Sequence, residues 1–123
     1  MAQLNGLEIL VVEDVVDNQD LFRLFLEAAG ARVDIANNGQ HALEIVCDKY
    51  DVILMDIQMP VLDGLSATRA LRGRGIETPI IALTAHAMPE EVAKSIAAGC
   101  VDHVLKPVSS SKLVAAISRA LGR

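Results

Sequence analysis

The chain has 123 residues, of which 52% are apolar, and a formal net charge of −5. That length fits a single domain over residues 1–123, with an aliphatic core, because Phe22, Phe25 and Tyr50 are the only aromatic residues. The acidic balance and the lack of a basic run exclude nucleic acid and direct membrane contact as main partners. No signal peptide or transmembrane stretch is legible, and Cys47 and Cys100 lack metal-site spacing, so a cytoplasmic domain with two reduced thiols is expected.

Leu7-Glu8-Ile9-Leu10-Val11-Val12 reads as a first strand, ending at Glu13-Asp14. A helix is expected from about Val15 to Ala29, with Leu21, Leu24, Phe25 and Ala28 as its apolar face and Gly30 as its stop. Asp17 and Asn18 are expected to help start it. Arg32 to Ala36 alternates polar and apolar, as a less buried strand does. After the Asn37-Asn38-Gly39 turn comes a second helix, with Ala42, Leu43, Val46, Cys47 and Tyr50 on one face and His41 on the solvated side. Val52-Ile53-Leu54-Met55 is a short apolar run bounded by acids, which predicts a strand buried on both faces with Asp56 at its end.

Pro60 and Asp63-Gly64 then turn the chain, and a short helix is expected over Leu65 to Arg72. Pro79 to Leu83 is a fourth strand, with Pro at its first position, ending at Thr84. Pro89, followed by Glu90 and Glu91, opens a helix that stops at Gly99 and has a thin apolar stripe. His103-Val104-Leu105 is the last strand and ends at Lys106. Ser109 to Ser111 offer an N-cap for a final helix that buries Leu113, Ile117, Ala120 and Leu121.

Five strands alternating with five helices predict an α/β doubly wound parallel sheet. With the alternating second strand at an edge, the order is 2-1-3-4-5, and a ligand belongs at the carboxyl ends of strands one and three. The residues at those ends are Glu13 and Asp14, Asp56, Thr84 and Lys106. Crowded carboxylates repel, so a fold keeps three of them mainly for a cation. Oxygen ligands without His or Cys favour Mg²⁺, with Mn²⁺ as the alternative. A metal site, an ammonium, a hydroxyl donor and a carboxylate nucleophile are the parts for phosphoryl transfer.

Four motifs in this order, Val11-Val12-Glu13-Asp14, Met55-Asp56-Ile57-Gln58-Met59-Pro60 with Asp63-Gly64, Ala82-Leu83-Thr84-Ala85, and Lys106-Pro107, resemble the receiver domain of two-component response regulators. The resemblance covers nearly the whole chain and implies a flavodoxin-like fold. It implies that Asp56 accepts a phosphoryl group from the phosphohistidine of a histidine kinase or histidine phosphotransfer domain, and that the domain assists its own phosphorylation and dephosphorylation. Asp14 would bind Mg²⁺ directly, Glu13 through water and Gln58 through its carbonyl. Thr84, Lys106 and the backbone near Gln58 and Ala85 would hold the phosphoryl oxygens, and the bond before Pro107 would be cis. The run Ala82 to Met88 and the lead-in Leu4-Asn5-Gly6 are most similar to receivers of hybrid sensor histidine kinases.

One position departs from the family: His103 stands where Tyr or Phe usually occupies the switch position. As an imidazolium it would resist burial. The output surface is expected on the fourth helix, fifth strand and fifth helix, facing a downstream protein. The alternative is a pseudo-receiver that binds partners without phosphorylation. A phosphohydrolase is disfavoured because Gln58 cannot act as a general acid. A flavin domain is disfavoured because Glu13-Asp14 would repel its phosphate.

Overall fold

The structure is a computed structural model and describes residues 3–86 and 88–122; Ala87, within the run from Ala82 to Met88, lies outside the described residues. Five strands, β1 (Glu8–Val12), β2 (Arg32–Ala36), β3 (Val52–Asp56), β4 (Ile80–Thr84) and β5 (Asp102–Leu105), alternate with α1 (Val16–Ala28), α2 (Gly39–Ile45), α3 (Gly64–Gly73), α4 (Pro89–Ala98) and α5 (Ser110–Ala120). The strands form one parallel sheet in the order β2-β1-β3-β4-β5, as the strand pattern predicts.

Successive residues of a strand face opposite sides, so the apolar runs feed two cores. Ile9, Val11, Leu54, Ile81 and Leu83 face one side, against Phe22 and Leu26 of α1 and Leu113 and Ile117 of α5. Leu10, Val12, Ile53, Met55 and Ala82 face the other, against Ala42 of α2 and Ala67 and Leu71 of α3. Every residue of β3 and β4 is buried, whereas β2 and β5 are mixed, as edge strands are.

Several local expectations need correction. The buried face of α1 is Phe22 and Leu26, flanked by Phe25 and Ala29, while Leu21 and Leu24 are exposed. Two apolar stripes overlap on this helix, and the one offset by a residue meets β1 and α5. The N-cap of α1 is Val15, without a side-chain bond, and Asp17 lies in the first turn, where its charge suits the helix N-terminus. Helix α2 ends at Ile45, so Val46 is its C-cap, Cys47 is exposed, and Tyr50 reaches the core from a loop. That loop placement lets the Tyr50 hydroxyl donate to Asp34 Oδ2 at 2.7 Å. Finally, Pro79 precedes β4 rather than opening it, Ala120 and Leu121 are only half-buried, and α5 also buries Val114 and Ala116.

One side chain ties three elements together. Arg72, in the last turn of α3, donates to the carbonyls of Ile76 and Thr78, each at 2.8 Å, and twice to Gly99, at 3.1 and 2.8 Å. Gly99 is the left-handed C-cap of α4 at φ 117°, and a Cβ there would strike the Arg72 stem. Glycine is thus needed twice over, for the angle and for the approach. Arg72→Met, which keeps the stem and removes the donors, is expected to lower stability by about 2–4 kcal/mol. Urea denaturation with an unchanged slope would register this.

Candidate functional site

Because all five strands run the same way, their carboxyl ends form one edge of the sheet. β1 releases Glu13 and Asp14 there, β3 ends in Asp56, β4 ends in Thr84, and Lys106 follows β5. The Lys106 N–H donates to the Thr84 carbonyl at 2.7 Å, which continues the sheet by one bond and fixes where the lysine begins. The Lys106–Pro107 bond is cis, as the resemblance implies.

The loop after β3 is drawn tightly over the strand end. The Gly64 N–H donates to the Ile57 carbonyl at 3.1 Å, and a Cβ on Gly64 would collide with the Asp56 carbonyl. Asp63 caps α3 by accepting from the Ser66 N–H at 2.9 Å. The Asp63-Gly64 pair therefore starts a helix and lets it begin against the backbone of Asp56.

Glu13, Asp14 and Asp56 each bring a carboxylate oxygen within 4.8 Å of the others. Glu13 and Asp56 are buried, and Asp14 is half-buried. Lys106 Nζ lies 3.0 Å from Asp56 Oδ2 and 3.7 Å from Glu13 Oε1. The other Asp56 oxygen accepts from the Gln58 N–H at 3.1 Å. Three carboxylates face one ammonium, and their all-oxygen donor set at this spacing fits a hard divalent cation.

Burial pushes the Glu13 carboxyl up from its ordinary 4.5 to about 6. The neighbouring Asp56 charge adds to the rise, while the Val15 N–H, at 3.0 Å, and Lys106 oppose it.

The Thr84 hydroxyl is engaged with its own loop: it accepts from the His86 N–H at 3.0 Å and donates to the His86 carbonyl at 3.1 Å. Behind Thr84 is a small cavity lined by Ile57, Leu65, Ala82, Glu91, Ser95 and His103. His103 is half-buried, and its Nδ1 stands 4.0 Å from Asp102 Oδ1. Glu91 and Ser95 make this cavity polar, which weakens the ground for expecting a charged imidazole to resist it.

Three residues around the acids were not read from the sequence as part of the site. The Asn18 amide reaches Glu13 Oε1 at 3.4 Å, and Gln19 donates to the Glu13 carbonyl at 2.6 Å and to Asn37 Oδ1 at 3.1 Å. His41 is not simply solvated, since its Nδ1 accepts the Asn37 N–H at 3.0 Å. The only signal in the sequence is that Asn18 and Gln19 lie one helical turn past the acidic pair.

The family model for the response regulator receiver domain matches residues 9–118. This chain belongs to that family. Two-component response regulator ORR41 of Oryza sativa subsp. japonica is 45% identical over 112 residues, which cover 87% of this chain and 88% of that one. Probable histidine kinase 2 of the same plant is 38% identical over 133 residues, but they are only 13% of its length. Among solved structures, the receiver domain of sensor histidine kinase PA1611 of Pseudomonas aeruginosa PAO1, with a magnesium ion coordinated in its active-site cleft, aligns at TM-score 0.84 and 40% identity over 96% of this chain and 99% of that one. Chemotaxis protein CheY4 of Vibrio cholerae aligns at 0.88 and 30% identity, over 94% and 98%. The receiver fold, with its flavodoxin-like strand order, is thus shown by both geometry and kinship.

For this receiver domain without divalent ion, the Glu13 shift has a definite sign. Between about pH 4.5 and 6 the native state holds more protons at Glu13 than the unfolded state does, so stability falls as pH rises through that window. The loss attributable to Glu13 is about 2 kcal/mol. Glu13→Gln should remove it, and Mg²⁺ should stabilise the parent at neutral pH by binding the ionised form. Urea denaturation of both proteins in EDTA, from acid to neutral pH, measures the difference.

Proposed function

We propose that this receiver domain is a phosphoacceptor in a two-component phosphorelay, with Asp56 as the residue that is phosphorylated. The observation that carries the reading is the buried Asp56 carboxylate, held by Lys106 beside two further acids. An Asp56 oxygen attacks the phosphorus of a phosphohistidine, the N–P bond breaks, and the histidine leaves. Asp14 and Asp56, with Glu13 and the Gln58 carbonyl, would hold Mg²⁺. The metal supplies charge neutralisation at the phosphoryl group, and Mn²⁺ meets the same oxygen donor set.

Lys106, now paired with Asp56, would transfer its ammonium to a phosphoryl oxygen once the aspartate is esterified. Thr84 would exchange its bonds to His86 for one to the phosphoryl group, with the N–H groups near Gln58 and Ala85 supplying further donors. Movement of Thr84 opens the space beside which His103 stands, so His103 is the proposed switch residue. The output face is α4, β5 and α5, where Ile96, Val101 and Leu105 are exposed. A histidine kinase or histidine phosphotransfer domain is the proposed donor in the cytoplasm. None of the described helices is long and apolar enough to cross a membrane. A pseudo-receiver role has no supporting feature, because the acids, the hydroxyl and the ammonium are all in place.

Acetyl phosphate with Mg²⁺ should add one phosphoryl group by intact mass, reduced to background in Asp56→Asn and when EDTA replaces Mg²⁺. Beryllofluoride should shift NMR resonances along α4, β5 and α5 in the parent, and His103→Ala should confine those shifts to the site. Modification that persists in Asp56→Asn would reject Asp56 as the acceptor.

A further inference from the structure

Glu13, the first of the two metal-site acids, has its backbone held on both sides. The Glu13 N–H donates to the Ala36 carbonyl at 3.0 Å, one step beyond the β1–β2 register. The Glu13 carbonyl accepts from Gln19 Nε2 at 2.6 Å. That same nitrogen lies 3.1 Å from Asn37 Oδ1, so its two hydrogens serve two loops at once. Asn37 is in turn held by its backbone, because its N–H donates to His41 Nδ1 at 3.0 Å in the first turn of α2. The His41 N–H closes the arrangement on Asn38, the N-cap of α2, at 2.8 Å.

A peptide unit is planar, so holding the Glu13 carbonyl also sets the plane from which the Asp14 Cα departs. From this geometry we infer that Gln19 is a positioning residue for the divalent-cation site, and that Asn37, on the β2–α2 turn, is the anchor through which it acts. Gln19 touches neither the cation nor the phosphoryl group. It aims the carboxylate of Asp14 by clamping the preceding carbonyl to a neighbouring strand end. An unclamped loop would leave Asp14 free to rotate away from Asp56, and the mutual repulsion of the acids favours that rotation. The inference rests on the proposed Mg²⁺ site and adds a supporting element on the edge of the sheet furthest from Lys106.

Calorimetric Mg²⁺ titration of the parent, Gln19→Leu, Asn37→Ala, Asn37→Asp and the Gln19→Leu/Asn37→Ala double variant tests it, alongside thermal melts in EDTA. Gln19→Leu should raise the Mg²⁺ Kd about tenfold, the size of effect usual for groups that orient metal ligands. Asn37→Ala should raise it by a smaller factor, and the double variant should be no weaker than Gln19→Leu alone, because both act through one chain of bonds. Asn37→Asp keeps the acceptor and should retain at least the parent affinity. Phosphorylation by acetyl phosphate should need more Mg²⁺ for half-maximal rate in Gln19→Leu but reach the parent rate at saturation, a split that general loosening of the fold would not produce.

An unchanged Kd in Gln19→Leu, or additive effects in the double variant, overturns the inference. If Gln19→Leu fails to fold, the exposed Asn37 decides alone: equal affinities for Asn37→Ala and Asn37→Asp overturn it, and a loss confined to Asn37→Ala supports it. A parent that binds no Mg²⁺ would instead refute the proposed metal site on which the inference rests.

Discussion

Lys106 Nζ faces more negative charge than it can balance. It pairs closely with Asp56, stands further from Glu13, and leaves Asp14 to itself. That mismatch is what the edge of the sheet is built to hold. In water three carboxylates would separate, but here each is fixed to the end of a strand, and the strands are fixed by two aliphatic cores. The strain shows in Glu13, whose carboxyl is pushed towards the neutral form by burial and by its neighbours. The same unbalanced charge, carried on oxygen donors at this spacing, suits a hard divalent cation.

The cores and the site divide the labour along each strand. Residues in mid-strand alternate between the two apolar layers, and chemistry begins only where the strand stops. Asp56 is the sharpest case, since it is both the last residue of a fully buried strand and the acid nearest the ammonium. Strand register places its backbone, and Lys106 and the Gln58 N–H then hold its carboxylate, so the site inherits the rigidity of the sheet.

This division explains what the sequence made legible. A run such as Val52 to Met55 announces a buried strand through composition alone, and the polar residue after it announces the sheet edge. Four apolar runs and the alternating Arg32–Ala36 were enough to order the sheet and bring Glu13, Asp14, Asp56, Thr84 and Lys106 together. Less legible were choices between near-equal local solutions. Helix α1 has two overlapping apolar stripes, and only contact with the sheet and α5 selects Phe22 and Leu26 over Leu21 and Leu24. Helix α2 carries apolar residues past its true end, so periodicity overruns the stop at Val46. A side chain that binds distant backbone left no pattern at all: nothing in the neighbourhood of Arg72 names the Gly99 carbonyl it reaches.

Arg72 has a mechanical consequence. Helix α4 buries only Ser95 and Ala98, both in its C-terminal half, and its C-cap carbonyl is gripped twice by the guanidinium of α3. Its first turn, by contrast, starts at an exposed N-cap, Met88, that makes no side-chain bond. The helix is therefore anchored by hydrogen bonds at its Gly99 end and lacks a capping bond at the end next to the Thr84 loop. Over ten residues the helix is about 15 Å long, so a tilt of about 10° would swing the uncapped end by about 2–3 Å while the Gly99 end stayed still. Any tilt of this helix about its Gly99 end would thus turn its whole surface, about a point set by an arginine on a different helix.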